Sequence, residues 1–469
     1  RRGLHGAALA LLRGLLPVGA AQRPDILATH ALAAGLSAEA APLALAAAEQ
    51  FLAGSALVEA NHYFDRALEA LAALPPEVAT RRMRMRAVSG LAVVRRGRFS
   101  IGDPEVGRLS REMLGLARSL GDEEAELLAL NGIYSNALVA ADYAAAKIWA
   151  AQLVKTAEAR GSRTYAMIGR RGLGSVALHT GRFAEAETQL AAAFAAYDME
   201  RDLSFAFTHG YDNAEICAVF LSFTRWLRGD PVAGRADSAF AVSHAERINH
   251  GHSLGMALAF QAMLAAMAVD DDALLAGADA ALVVAERYDI KVARGAGHFF
   301  GLCARLIGAA RPPGPAEVAQ ARQALALFRE YNPTNYGAFS AGLVAWICLR
   351  AGDAAGAAGM LEDARAEETR TGETWCGAER MRLEAGLAAL EGDPERAAGL
   401  RAAALARARE EGAGMLALRI ACDMAEAEPG ADRAALLAEC AARLASQDDG
   451  WDLRRMRGLL ADRGGLMRA

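Results

Sequence analysis

Gly229-Asp230-Pro231 recurs along this 469-residue chain in worn copies: Ala141-Asp142-Tyr143, Gly181-Arg182-Phe183, Gly352-Asp353-Ala354 and Gly392-Asp393-Pro394. In chain order the steps are 40, 48, 123 and 40 residues, and 123 is three times 41. A fixed period of this size marks a solenoid of stacked helix pairs. Working outward from each phrase, position +5 is Ala146, Ala186, Gly234, Ala357 and Ala397, small residues that let the second helix of a pair lie close on the first. Position +16 is Ala157, Ala245 and Ala408, and position +20 is Gly161, Gly372 and Gly412. A glycine there takes a positive φ and ends the second helix. Asp in the turn caps that helix at its start, and Pro231 and Pro394 suit its first turn. Tyr143 and Phe183 plug the gap between paired helices. The expected fold is all-α: a right-handed superhelical solenoid of antiparallel helix pairs, tetratricopeptide-like, with a period of about 40 against the usual 34.

Composition agrees. The chain is 54% hydrophobic but only 6% aromatic, so Ala and Leu carry the apolar content, and both favour helix. A net charge of −5 gives no general reason to expect nucleic-acid binding, and no apolar run reads as long enough to span a bilayer. The six cysteines, Cys217, Cys303, Cys348, Cys376, Cys422 and Cys440, show no CxxC pair and no His at metal-ligand spacing, which reads as buried free thiols in a reducing cytoplasm.

The period locates worn units near Asp270 and Arg311. Upstream, Gly97-Arg98-Phe99 reads as another copy, 44 residues before Ala141, with residues 100–110 as an inserted loop, and Glu59 to Leu68 reads as a second helix. Residues 1–36 lack the phrase, contain Pro17 and Pro24, and read as a helical lead-in from an N-terminal module; residues 37–469 then form about nine to ten helix pairs. The chain opens Arg1-Arg2-Gly3-Leu4-His5 without a secretory pattern, the expected look of a piece of a longer polypeptide.

No phosphate loop, GxGxxG, HExxH or GxSxG is present, so no catalytic residue, cofactor ligand or metal ligand is assigned and the chain is not expected to be an enzyme. The run Arg81-Arg82-Met83-Arg84-Met85-Arg86 reads as a solvated helix face rather than an acidic-partner patch. His244, His250 and His252 read as helix-end histidines rather than a metal site. The irregular 48-residue step holds His209, Tyr211 and Asp212 ahead of a helix carrying Cys217, Phe220, Phe223 and Trp226. His209, Tyr211, Asp212 and Trp226 are the candidate ligand or partner pocket, weighed against a widened inter-repeat joint packed with aromatics.

With these phrases in hand, the chain resembles the C-terminal tetratricopeptide-like region of large bacterial signalling proteins that carry a class III adenylate/guanylate cyclase domain and then an AAA-type (STAND-like) ATPase. The resemblance lies in Arg1-Arg2-Gly3-Leu4-His5, Leu27-Ala28-Thr29-His30-Ala31-Leu32-Ala33-Ala34-Gly35 and the Ser55–Leu71 segment. It continues through His209-Gly210-Tyr211-Asp212, Trp226 to Pro231, Gly372-Glu373, Ala378 to Leu383 and Asp449-Gly450-Trp451-Asp452. Gly234 and Asn213 depart from the pattern, which favours Ala and Pro there. The resemblance implies a cytoplasmic sensor or scaffold arm of a signalling ATPase, cyclase-linked, binding a protein partner, a small ligand or its own N-terminal ATPase and cyclase modules, with no nucleic acid or membrane, and open to homo-oligomers. Ligand or partner would bind the concave face and shift the packing of the lead-in. Two alternatives stand beside it: the repeat region of a large ATP-binding LuxR-like transcription activator, and a stand-alone protein-interaction scaffold.

Overall fold

A computed structural model describes residues 1–15, 23–209, 211–269, 272–331, 335–427 and 431–466. The described residues form helices and connecting turns, with no strand among them. The chain divides between Tyr165 and Ala166 into two compact units. The first holds α1 (Arg2–Leu15), α2 (Pro24–Ala34), α3 (Ser37–Ala53), α4 (Leu57–Ala72), α5 (Val78–Arg98), α6 (Pro104–Leu120), α7 (Glu123–Val139) and α8 (Tyr143–Ala159). The boundary falls inside α9 (Arg163–His179). The second unit continues with α10 (Phe183–Ala196), α11 (Met199–His209), α12 (Asn213–Arg228), α13 (Pro231–Arg247), α14 (Gly251–Ala268), α15 (Asp272–Arg287), α16 (Lys291–Gly308) and α17 (Pro315–Tyr331). It closes with α18 (Gly337–Arg350), α19 (Ala354–Thr371), α20 (Gly377–Leu390), α21 (Pro394–Glu411), α22 (Gly414–Ala427), α23 (Ala431–Ala442) and α24 (Trp451–Leu466).

The recurring phrase is two caps fused into one dipeptide. Its first residue sits in the left-handed region: φ is +58° at Ala141, +71° at Gly181, +100° at Gly229, +73° at Gly352 and +83° at Gly392. There its N–H and the next N–H bond back to the helix just ended, as Gly229 N does to Trp226 O (3.0 Å) and Asp230 N to Arg225 O (2.9 Å). The Asp side chain then accepts the N–H three residues on: Asp142 from Ala145, Asp230 from Ala233, Asp353 from Gly356 and Asp393 from Arg396. One dipeptide therefore both stops a helix and starts its partner, which makes the hairpin tight and sets the period. Arg182 stands in the same place without a side-chain cap. Ala146, Ala186, Ala357 and Ala397 are fully buried between paired helices, as are Ala157, Ala245 and Ala408; Tyr143 and Phe183 fill the joints. Gly161, Gly372 and Gly412 take the expected positive φ. Gly234 has a steric cause: a Cβ there would meet Ser222 O at 2.8 Å and Trp226 Cβ at 3.1 Å.

Three readings are corrected. α5 runs through Gly97 to Arg98, so Gly97-Arg98-Phe99 is no turn, and Phe99 stands exposed instead of plugging a joint. Gly102-Asp103-Pro104, 39 residues before Ala141, repeats the phrase in sequence but keeps only its second half: Gly102 takes no positive φ, while Asp103 caps α6 through Glu105 N (2.8 Å). Residues 104–110 are accordingly helix, not loop. Finally, α14 is long and apolar enough to cross a membrane, but 67% of it is buried inside the second unit. The unit around Arg311 is a turn between α16 and α17, as expected, whereas Asp270 and Pro17 lie outside the described residues.

Within the second unit the array closes on itself. The first helices of successive pairs, α12, α14, α16, α18, α20 and α22, pack side by side, and α22 returns to α12. The seam admits little bulk: a Cβ on Gly414 would lie 2.8 Å from Arg228 O, and one on Gly229 would lie 2.8 Å from Leu444. Backbone bonds stitch it, Ala445 N to Gly229 O (2.8 Å) and Thr374 N to His179 O (2.9 Å). Arg235 pairs with Asp448 across the same seam. The concave face expected to receive a ligand is in this unit an interior, filled by Phe220, Phe223, Phe260, Phe339 and Trp375.

Two substitutions isolate the cap. Gly392 is exposed and a Cβ there touches nothing within 4 Å, so Gly392→Ala carries backbone strain alone. We expect it to destabilise the second unit by about 1 kcal/mol, and Ala141→Gly to stabilise the first by about 0.5–1 kcal/mol, read as shifts of the urea midpoint.

Candidate functional site

The second unit holds three buried polar centres, each built where helices of distant sequence meet. The first grows from Asp212, the N-cap of α12. Its Oδ1 accepts from Glu215 N (2.9 Å) and from His244 Nε2 (3.0 Å), and its Oδ2 from the Tyr197 hydroxyl (2.8 Å). His244 Nδ1 accepts from Arg247 (2.7 Å), which leaves the ring proton on Nε2, donated to Asp212. Asp212 N in turn donates to Ser253 Oγ (3.2 Å). Burial pushes the Asp212 carboxyl upward, but the bonds from His244, Glu215 N and Tyr197 win and hold it below the usual carboxylate range. Glu215, one turn along and fully buried, goes the other way: burial first and the Asp212 charge second raise its carboxyl well above that range. Two neighbouring carboxyls are thus pushed in opposite directions, the helix cap down and the buried acid up.

Tyr211 lies half-buried at this centre, its ring edge-on to Phe205 (5.7 Å) and under the Arg171 guanidinium (4.8 Å). The His209 side chain lies outside the described residues. Trp226 is not at this centre: it sits near the other end of α12, 14 residues on, a rise of about 20 Å.

Trp226 belongs to the second centre, around Arg419 of α22. This guanidinium is 1% exposed. It donates to both Asp452 oxygens (2.9 and 2.8 Å), to Glu379 (3.3 Å) and to Met267 O at the end of α14 (2.7 Å). Three indoles surround it, Trp346 at 5.2 Å, Trp226 at 5.5 Å and Trp451 at 5.7 Å. Arg382 stacks on the same Trp346 at 4.3 Å and pairs with Glu379 (2.8 Å) and Asp423 (2.9 Å). Against the cost of burial, Asp452 and Glu379 keep Arg419 charged. A narrow apolar pocket adjoins, walled by Phe339, Trp346, Trp375 and Leu383 with Glu379 and Arg419 at its edge. Those two side chains are already committed to each other and to their neighbours, so the pocket offers no unpaired charge.

The third centre is Glu373, in the turn before α20. It is fully buried, its carboxylate accepts from Trp375 Nε1 (2.7 Å), and its backbone N–H donates to Thr371 Oγ1 (3.0 Å). Burial pushes its carboxyl up to about 7, against the pull of the Trp375 bond. His179 faces the same aromatic cluster, with Tyr336 5.3 Å away; burial pushes it down to about 4, opposed by its Nδ1–H bond to Ser175 O (2.8 Å).

Among the described residues no group of three or more His, Cys, Asp or Glu side chains is placed to hold a metal ion. All six cysteines are free and buried. Arg419 is marked in the sequence only as a charge in an apolar helical stretch, and Glu373, one acid among several in its segment, only by the Gly372-Glu373 match. Their roles depend on partners up to 152 residues away, as with Met267.

No protein-family model matches the chain. One curated relative is an uncharacterized protein of Rhizobium meliloti (strain 1021), 25% identical over 241 residues. The match takes in 51% of this chain and 23% of that protein, so it spans about a quarter of the relative's length. Among solved structures, yeast Tom70 is 12% identical with a TM-score of 0.34, covering 91% of this chain and 96% of that one. A circular tandem repeat protein with novel repeat topology is 14% identical with a TM-score of 0.15, covering 99% and 100%. Overlap this loose carries no weight for the fold, which rests on the helices, caps and burial described above.

Removing the Arg419 side chain strands Asp452 and Glu379 in the interior. Arg419→Ala is expected to cost the second unit about 3–5 kcal/mol in chemical unfolding, and Arg419→Lys, which cannot serve four acceptors in a fork, to recover less than half of it. Glu373 predicts a pH effect. Its folded pKa lies above the unfolded value, so stability is fully present in acid and is lost as pH rises from about 4.5 to about 7. Glu373→Gln, which keeps the Trp375 bond, is expected to be more stable than the parent at pH 8 and equal to it near pH 4.5, measured by urea unfolding at each pH.

Proposed function

We propose that this chain is a protein-binding and regulatory arm of a larger cytoplasmic signalling protein, and that the modules it regulates are the ATPase and nucleotide cyclase that the sequence resemblance implies. A helical-repeat scaffold is the object in hand. What carries the reading is how the two units spend their apolar surface. In the second unit the charged and aromatic side chains of the interior are engaged with one another, which is the economy of a scaffold and not of a reaction centre. The first unit, about a third of the chain, holds nine of the sixteen exposed large apolar side chains found among the described residues, including Leu4, Leu11, Val58, Phe99 and Ile148. Helix arrays that leave apolar side chains in water on one unit are suited to hold another protein there.

The test uses the full-length gene product. Deleting the region corresponding to residues 1–469 is expected to leave nucleotide turnover measurable and to change its basal rate severalfold. Placing Asp at Leu11, Phe99 and Ile148 together is expected to reproduce that change without lowering the thermal midpoint of the second unit. A full-length protein without a nucleotide-binding module, or turnover indifferent to both changes, overturns the reading.

A further inference from the structure

Five inner helices of the second unit converge on the narrow apolar pocket beside Arg419. Its walls come from the ends of α12 and α14 (Leu227, Met267), from α18 (Phe339, Trp346), from α20 and the turn before it (Leu383, Trp375), and from α22 next to Arg419. The pocket therefore exists only while α22 lies back beside α12 and α14. Each of the six named side chains is buried. The lining residues that reach solvent are Gly342, Glu379 and Arg380, so they mark the mouth.

Gly342 keeps that mouth open. It is an interior residue of α18, where glycine costs helix stability. A Cβ built on it would meet only Leu383, at an ordinary 3.7 Å. A long side chain there would stand across the opening.

The rim decides the charge of what can enter. Glu379 is held by Arg382 (2.8 Å) and Arg419 (3.3 Å). Arg380 gives Nε to Glu368 (3.0 Å) and Nη1 to Glu384. An anion at the mouth would face these three carboxylates, and a cation would face the guanidiniums that neutralise them. Neither finds an unpaired charge to offset the loss of its hydration. One donor is left over: Arg380 Nη2 has no partner among the described residues.

We propose that this pocket binds a small, uncharged, flat apolar molecule of one or two rings, carrying a single oxygen acceptor that takes its hydrogen bond from Arg380 Nη2. Indole and phenyl walls suit a ring between them, and the one spare donor at the rim suits one acceptor at the ring's end. The bound molecule touches helices that meet only in the closed array, so its binding stabilises closure. The second unit thereby senses a small molecule by itself, independently of the protein-binding role proposed for the first.

Titrating the intact chain with 2-acetylnaphthalene tests the site, read as quenching of tryptophan emission and as a rise in the urea midpoint of the second unit. Saturable binding of one equivalent in the micromolar range is expected. 2-Ethylnaphthalene, of similar shape but without the acceptor, is expected to bind about tenfold more weakly, the factor for one hydrogen bond to a charged donor. 2-Naphthoate, with a carboxylate in the same place, is expected to lose at least about tenfold as well. Gly342→Leu is expected to abolish binding while leaving the midpoint without ligand unchanged or higher. Arg380→Lys keeps the charge but loses the third edge of the fork. It is expected to bring the ketone down to the affinity of 2-ethylnaphthalene and to leave the latter unchanged, which tests the site even where Gly342→Leu fails to fold. Absence of saturable quenching, equal affinity for the three compounds, a folded Gly342→Leu protein that still binds, or a ketone affinity untouched by Arg380→Lys overturns the proposal.

Discussion

Arg419 is the interaction around which the second unit is organised. A guanidinium taken out of water costs several kcal/mol unless every donor finds an acceptor. Here the acceptors come from three other helices: Met267 O ends α14, Glu379 begins α20 and Asp452 begins α24. The acceptors can be met together only when the array has curled far enough to bring α22 back beside α14. Trp226, Trp346 and Trp451 exclude water from the site and so raise the penalty for any looser arrangement. The guanidinium thereby converts an array that could open like a spring into one that has a closed state.

Closure explains features that the repeat alone does not require. A solenoid helix usually keeps one face in water, yet α14 is apolar nearly all round, because it is flanked by α12 and α16 and faces the filled axis. Gly229 and Gly414 serve the seam as well as their own turns, and bulk at either would push α12 from α22. Asp230 caps α13 locally and also bonds Ser446 across the seam. Glu373, its carboxyl pushed up to about 7 by burial and bound to Trp375, sits in the turn that grips His179 from the far side of the unit, so the seam's second grip carries a group sensitive to protons near neutrality.

The repeat phrase was legible because its physics is local. A left-handed residue followed by a capping Asp needs no partner outside its own hairpin, so Gly-Asp signals the same turn wherever it stands. Even its exception is local, since Ala141 takes the strained φ with the rest of the cap intact. Gly97-Arg98-Phe99 misled for the complementary reason: it has the look of a turn, but α5 runs through Gly97 to Arg98, and the capping side chain comes only at Asp103, which starts α6. In the candidate pocket, Asp212 and Tyr211 do meet other polar groups, His244 and Arg171, while Trp226 is carried by the helix to a different centre. Adjacency in sequence placed the first two; the helical rise separated the third.

The sequence by itself determined the helices, their pairing, the period and the buried small residues between partners, because each depends on contacts within one or two hairpins. Only the tertiary structure decided that the second unit closes, that its axis is filled, and that Arg419 and the turn at Glu373 have partners. Those contacts join residues from 33 to 216 positions apart. Their geometry depends on the accumulated small rotation of one hairpin on the next, a quantity that no single repeat contains.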